Sequence, residues 1–223
     1  MMDFSKLVGT KYPDSQVMRW FFKELLFEQM GSVLELGCGF GNNLMMFQQY
    51  GWKCYGLEAD PDIMSGAAEN LRLANTGESW HVEHGRFPEV HPDSLLGSKT
   101  YDAFMMPGSL YYVSRSDAIK TLRWAHGVIK SGSHLFISIR GLSDYRYARG
   151  EKVGRNEYVL NTPETGENGI LCTFYHEYEI VNMMHEFLGL VLSSARVLNM
   201  HFENVLNGKH MMNHDIIVWG TVE

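Results

Sequence analysis

The segment Ser32-Val33-Leu34-Glu35-Leu36-Gly37-Cys38-Gly39-Phe40-Gly41-Asn42 constrains this chain more than any other. An apolar run of strand length ends in three alternate glycines, and Asn42 to Tyr50 then carries Leu44, Met45 and Phe47 at positions that suit a buried helical face. Strand, tight loop and helix in that order set unpaired N–H groups and the positive end of a helix dipole where an anion or carboxylate can approach. The spacing is G-x-G-x-G. In dinucleotide sites it is G-x-G-x-x-G, where the third glycine makes room for pyrophosphate, so here that glycine comes one position early.

The elements around the loop repeat the alternation. Gln16 to Met30 has Val17, Trp20, Phe21, Leu25 and Leu26 at helical spacing before Gly31, which predicts a helix leading into the first strand. Lys53 to Leu57 reads as a second strand, and Pro61 opens a helix to about Leu73, with Asp60 as its N-cap. Trp80 to Glu83, Tyr101 to Met106 and His134 to Ile139 supply strands three to five, with an amphipathic helix at Asp117 to Ile129. Such alternation predicts a parallel sheet. The β-rich runs Leu190 to Asn199 and Asp215 to Val222 flank the turn dipeptide Asn207-Gly208, so the chain is expected to finish in an antiparallel strand pair. The stretch 141–176 reads as an insertion, with a hairpin of Tyr158 to Thr162 and Ile170 to Tyr175 around Pro163-Glu164-Thr165-Gly166-Glu167.

Length and composition bound the partners. A chain of 223 residues, 45% hydrophobic, can bury one sizeable core, so a single domain over 1–223 is expected. A formal net charge of −7 argues against broad contact with a phosphate backbone, and nucleic acid is an unlikely partner. Cys38, Cys54 and Cys172 are odd in number and lack metal-ligand spacing, so neither a disulfide framework nor a metal is expected. The start, Met1-Met2-Asp3-Phe4-Ser5-Lys6, has no cationic stretch followed by an apolar run, and no segment approaches ~18 apolar residues. The expectation is a cytoplasmic protein, monomer or homodimer, with no membrane partner.

Val33 to Asn42 resembles the first motif of the class I S-adenosylmethionine-dependent methyltransferases, an acid followed by alternate glycines at the end of strand one. The resemblance implies an α/β fold, a Rossmann-like three-layer sandwich with a mostly parallel seven-stranded sheet and an antiparallel C-terminal strand pair. It also implies S-adenosylmethionine as cofactor and S-adenosylhomocysteine as product. Gly37, Cys38, Gly39, Gly41 and Asn42 would then approach the methionine part, with Glu35 at its amino group. Glu58 ends strand two, where the family places a ribose-binding acid, and Ala59 follows it. After strand three the family often has Gly-Asp-Ala. Here His84-Gly85-Arg86-Phe87 lacks the acid, which leaves adenine to Arg86, Phe87 or backbone groups. Met106 ends strand four, and Tyr12 and Arg19 are the candidates for closing the site from the N-terminal side.

The loop after strand five carries Arg140, Arg146, Arg149, Lys152 and Arg155 against Asp144 and Glu151. One reading is a lid binding an anionic or aromatic small molecule through Arg140, Arg146, Tyr145 and Tyr112, since arginine forks suit carboxylates. The other is a solvated surface loop. A sulfonium methyl is already activated, so the protein has chiefly to align an O, N or S nucleophile and exclude water. His176 leads as proton acceptor, with Tyr111 second, because histidine titrates near neutrality. Two other functions compete with transfer to a small molecule: an NAD-dependent oxidoreductase, and a non-catalytic domain that only binds S-adenosylmethionine.

Overall fold

A computed structural model of the chain describes residues 4–74, 77, 79–90 and 94–223. Met1 to Asp3, part of the start read above for a leader, lie outside the described residues. The first long element is α1 (Ser15–Lys23), which Asp14 opens by accepting hydrogen bonds from the backbone N–H groups of Gln16 (2.8 Å) and Val17 (3.1 Å). It stops well before Met30 because Leu25 adopts a left-handed conformation, φ 56°, and a single 3₁₀ turn, Leu26–Glu28, follows. Val17, Trp20 and Phe21 are its buried face, with Trp20 resting on Phe47 and Phe136.

Next in chain order come β1 (Ser32–Leu36), α2 (Asn42–Gln49), β2 (Lys53–Glu58), α3 (Pro61–Ala74) and β3 (Trp80–His84). They are followed by β4 (Tyr101–Pro107), a 3₁₀ turn at Leu110–Tyr112, α4 (Arg115–His126) and β5 (Ile129–Arg140). Asp60 caps α3, accepting from the N–H groups of Asp62 and Ile63. The strands lie in the order β3-β2-β1-β4-β5-β10-β9, where β9 is Arg196–Leu206 and β10 is Lys209–Thr221. The first five run parallel, and β10 is antiparallel to both β5 and β9. This is the mostly parallel seven-stranded sheet with an antiparallel C-terminal pair that the resemblance implied.

Two apolar cores make three layers. On one face, Val17, Trp20 and Phe21 of α1, Leu44 and Phe47 of α2, and Leu71 of α3 pack on Val33, Ala103 and Met105. On the other, Leu122 and Ala125 of α4 join Ile180, Met184 and Leu188 of α5 (Glu177–Leu188) over Leu34, Leu36, Phe104 and Ile137. The period-two alternation along β1 has a consequence for the site: Val33 and Glu35 share the α2 face, and Leu34 and Leu36 share the other.

The ends of several elements depart from the sequence reading. The β9–β10 hairpin turns at Asn207-Gly208 but reaches much further on both sides, and Leu190 makes only an isolated bridge to Val222. In the insertion, β7 (Glu157–Leu160) and β8 (Leu171–Thr173) form the expected hairpin. A further strand, β6 (Gly150–Gly154), pairs with β7 to give a separate three-stranded sheet. The charged run Gly150-Glu151-Lys152-Val153-Gly154 lacks apolar alternation because it is a largely exposed edge strand, so periodicity does not reveal it.

Candidate active site

The carboxyl ends of β1, β2, β4 and β5 open onto two cavities, one of about 300 Å³ and one of about 770 Å³. Gly37 and Gly108 line both. The glycine loop after β1 therefore stands between them, where an extended ligand could cross from one to the other.

Each glycine of the loop has its own task. Gly37, φ 76°, admits the β4 loop: a Cβ there would lie 2.5 Å from the Ser109 Cβ, and Ser109 Oγ donates to the Leu36 carbonyl at 2.7 Å. Gly39, φ 54°, faces open space, with no protein atom within 4 Å of where its Cβ would stand. That is where a ligand can lie against bare backbone. Gly41, φ 73°, is the N-cap of α2 and lines neither cavity, so its contribution is to the turn and not to ligand contact.

Glu35 lies at the floor of the smaller cavity and is 1% exposed. One carboxylate oxygen accepts a hydrogen bond from Asn43 Nδ2 at 2.8 Å, and the other, Oε2, has no partner among the described residues. Burial raises its carboxyl to about 8 against the Asn43 hydrogen bond, with the charges of Asp14 and Glu58 adding to the rise. A buried carboxylate with one oxygen unsatisfied is costly alone and fits a cationic ligand group. Thr10, Asp14, Cys38, Asn42, Asn43, Ser138, Tyr111 and Asp215 complete the polar wall.

The larger cavity is lined by Glu58 and Ala59 from the end of β2, by Gly85, Arg86, Phe87 and Pro88 after β3, and by Ser109, Tyr112, Ser114 and Asp117 beyond β4. Glu58 Oε2 accepts from the Gly39 N–H (2.9 Å), and Oε1 accepts from those of Ala59 (2.8 Å) and Asp60 (3.1 Å). This carboxylate ties the two loops together as well as facing the cavity. A ribose would fit beside Glu58 and an adenine among Gly85, Arg86 and Phe87, the residues the sequence offered in place of an acid.

Several other expected residues lie away from the two cavities. Met106 is fully buried in the core, and its neighbours Pro107 and Gly108 face the cavities instead. Tyr12 is 66% exposed; its carbonyl accepts from Asn42 Nδ2 at 2.9 Å, but its ring lines neither cavity. Arg19 lies on a groove with Trp20, Lys23 and Trp219, apart from both cavities. From the N-terminal side, Thr10 and Asp14 reach the site instead, Asp14 also donating its N–H to Asn43 Oδ1 at 2.8 Å.

The expected substrate arginines are committed elsewhere. Arg140 pairs with Glu167 at 2.6 Å and lies over the rings of Tyr111 and Tyr112. Arg146 pairs with the other oxygen of Glu167, with Asp144 (3.1 Å) and with Asn213 (3.0 Å). Both are 6% exposed and neither lines a cavity. Burial alone would raise Glu167, but the Arg140 charge and the bonds from Tyr112, Arg146 and Arg140 hold its carboxyl at about 2. Tyr145 bonds Glu164 at 2.5 Å and stacks under Arg149, away from the cavities. Arg140 and Arg146 thus pin the insertion to the end of β5, with both guanidinium groups taken up by Glu167 and Asp144.

His176 is exposed, heads α5 with its N–H bonded to Glu179 at 3.0 Å, and stacks on Tyr178. It lines neither cavity. Tyr111 does line the smaller cavity, but burial, outweighing the opposing Arg140 charge, raises its phenol above the usual range. Tyr112 lines the larger cavity, on the side of Glu58 and Phe87. Among the titratable groups that the sequence reading missed, Asp215 lines the smaller cavity from β10. It stands just before the apolar run Ile216-Ile217-Val218-Trp219, and an acid next to such a run was the available signal, although β10 extends past it to Lys209.

A family model described as a methyltransferase domain matches residues 11–192. Among solved structures, a SAM-dependent methyltransferase from Methanosarcina mazei is similar at a TM-score of 0.65 and 18% identity, over 90% of this chain and 98% of that one. Magnesium protoporphyrin IX methyltransferase (ChlM) from Synechocystis, with bound SAH, aligns at 0.62 and 13% identity over 93% and 80%. TehB from Haemophilus influenzae aligns at 0.64 and 13% identity over 99% and 66%. No curated protein matches in sequence.

Proposed function

Because the chain belongs to the methyltransferase domain family and has the class I S-adenosylmethionine-dependent fold, we propose that it transfers a methyl group to an N, O or S atom of a small molecule held in the smaller cavity. S-adenosylmethionine is the cofactor of this family, which sets aside the NAD-dependent reading. The observation that carries the proposal is the unpartnered Oε2 of Glu35 at the floor of that cavity, one glycine loop away from Glu58. A ligand with an ammonium at one end and a ribose and purine at the other matches the two halves.

In this reading Glu35 and Asn43 hold the amino end of the cofactor, Gly39 gives it bare backbone, and Glu58 receives the ribose hydroxyls. Phe87, Arg86 and the Gly85 backbone enclose the adenine. When bound, the cofactor supplies a methyl on a positively charged sulfur, ready for a nucleophile. The protein has then to place the acceptor and exclude water. Pro107, Gly108, Tyr111 and Ser138, at the ends of β4 and β5, form the wall on the acceptor side. The chain works as one domain over 1–223, with 141–176 an insertion held by the Arg140–Glu167–Arg146 ion pairs and not a loose lid. Among the described residues no helix is long and apolar enough to cross a membrane.

The test is calorimetric titration with S-adenosylmethionine, S-adenosylhomocysteine and NAD, followed by transfer of labelled methyl to a mixed panel of amines, alcohols, phenols, thiols and carboxylates. Binding of the two adenosyl compounds with label incorporated into any pool supports the proposal. Binding without incorporation favours a non-catalytic binding domain, and binding of NAD alone refutes the cofactor assignment.

A further inference from the structure

Resting on that reading, we propose that Asp215 is the acceptor-side carboxylate of the site, and that it selects a protonated amine and takes its proton before methyl transfer. Asp215 lines the smaller cavity from β10, the same cavity into which Tyr111, Ser138 and Gly108 project from the ends of β4 and β5. Its carboxylate accepts no hydrogen bond and makes no ion pair with a described residue. The strand register sets it opposite Arg140, but that guanidinium is turned to Glu167 and to the rings of Tyr111 and Tyr112.

The charge balance of the cavity favours a cation. Among the described residues three carboxylates line it, those of Asp14, Glu35 and Asp215, and no lysine, arginine or histidine does. Asp14 is partly satisfied by the α1 N-terminus, and S-adenosylmethionine, with two positive groups and one carboxylate, offsets one further charge at Glu35. Asp215 is left without a counterpart, and an anionic acceptor would meet uncompensated negative charge in a partly desolvated space. An ammonium would supply the missing partner.

The groups facing Asp215 are Arg140 from β5, Asp144 and Arg146 from the insertion, Tyr111 from the turn after β4, and Asp14 from the head of α1. Its β9 neighbour, Met200, carries no charge. Burial, then Asp144, raise its carboxyl to about 6 in spite of Arg140. It is thus ionised at neutral pH yet more basic than an ordinary aspartate, which suits a proton acceptor. The ammonium gives one proton to Asp215, and the freed nitrogen lone pair forms the N–C bond as the C–S pair stays on sulfur. The proton then passes from Asp215 to water.

Benzylammonium and benzoate, titrated into the S-adenosylhomocysteine complex of wild type and of Asp215→Asn, provide the test. At about pH 7.5 wild type should bind benzylammonium in preference to benzoate, and Asp215→Asn should bind the ammonium about tenfold more weakly. Because the carboxylate form binds the cation, wild-type affinity should fall as pH drops through about 6, while that of Asp215→Asn stays flat. Unchanged affinity of both proteins for S-adenosylhomocysteine shows that the variant is folded and that the cofactor reading stands. Preference for benzoate, equal ammonium binding by the two proteins, or no ammonium binding by wild type overturns the role of Asp215. Failure of wild type to bind S-adenosylhomocysteine at all overturns the parent reading instead.

Discussion

Replacing Glu35 with Gln should make the ligand-free protein more stable in alkaline solution while weakening its hold on S-adenosylmethionine. The carboxyl sits at about 8 instead of 4.5 because it is buried. A folded-state pKa raised above the unfolded value leaves stability intact below about pH 4.5 and erodes it as pH climbs through about 8. The displacement corresponds to an upper limit of roughly 5 kcal/mol of penalty once the carboxylate is fully ionised. Gln keeps the acceptor for Asn43 Nδ2 and carries no charge. Below about pH 4.5 the two proteins should therefore melt together, because Glu35 is then neutral in the folded and the unfolded chain alike, and the gap should open as pH rises from there to about 8. Above about pH 8 the variant should melt higher, each kcal/mol being worth about 2–4 °C in a chain of this size. Differential scanning calorimetry from about pH 4.5 to 9, with and without S-adenosylmethionine, reads both effects. With the cofactor present the order should reverse, since only the wild type offers the ammonium a carboxylate. A melting difference that is constant with pH would refute the argument, because it would mean that Glu35 does not titrate in the folded protein as an unpartnered buried acid.

Glu58→Ala should lower the melting temperature as well as the affinity for S-adenosylhomocysteine, since it strips an acceptor from the N–H groups of Gly39, Ala59 and Asp60; a cost of about 1–3 kcal/mol is expected, read by thermal unfolding and calorimetry. Gly37→Ala and Gly39→Ala should separate two roles: the first adds a collision with Ser109 to the left-handed backbone strain that both share and destabilises more, while the second meets open space and chiefly abolishes cofactor binding. Arg146→Ala should cost about 3–5 kcal/mol in stability by leaving buried Glu167 and Asp144 underpaired, and adding Glu167→Gln should recover part of it in a double-mutant cycle. His176→Ala should leave S-adenosylhomocysteine affinity and methyl transfer unchanged, as its exposed ring lines neither cavity.

What the sequence made legible follows from what is local in it. The loop Gly37 to Gly41 shows in one dimension because its backbone needs glycine at fixed spacing, and Glu35 and Glu58 show because one is the penultimate and the other the last residue of a largely apolar strand. Asn43 was not legible: its contact with Glu35 depends on which face of α2 turns toward β1, and a polar residue in a first helical turn looks like any surface position. Asp14 carries the signal of a helix cap, and nothing local says that the cap also borders a cavity. Leu25 looked like the continuation of a helix because helical spacing continues through it, although a left-handed residue ends α1 there.

The arginines of the insertion show the limit most directly. Counting charges between Arg140 and Arg155 gives a basic loop with a surplus of positive charge for an anion. Its counterion, Glu167, comes 27 residues after Arg140 and 21 after Arg146, and Asn213 reaches Arg146 from β10. A long-range pair of that kind leaves no trace in any short window. The same pairing that removes the arginines from the substrate's reach leaves Asp215, beside Arg140 in the sheet, without its nearest cation. The sign of charge facing the acceptor is therefore set by Glu167: as long as it holds both guanidinium groups, the cavity stays negative, and a variant such as Glu167→Gln that releases Arg140 should shift preference in the S-adenosylhomocysteine complex from benzylammonium toward benzoate.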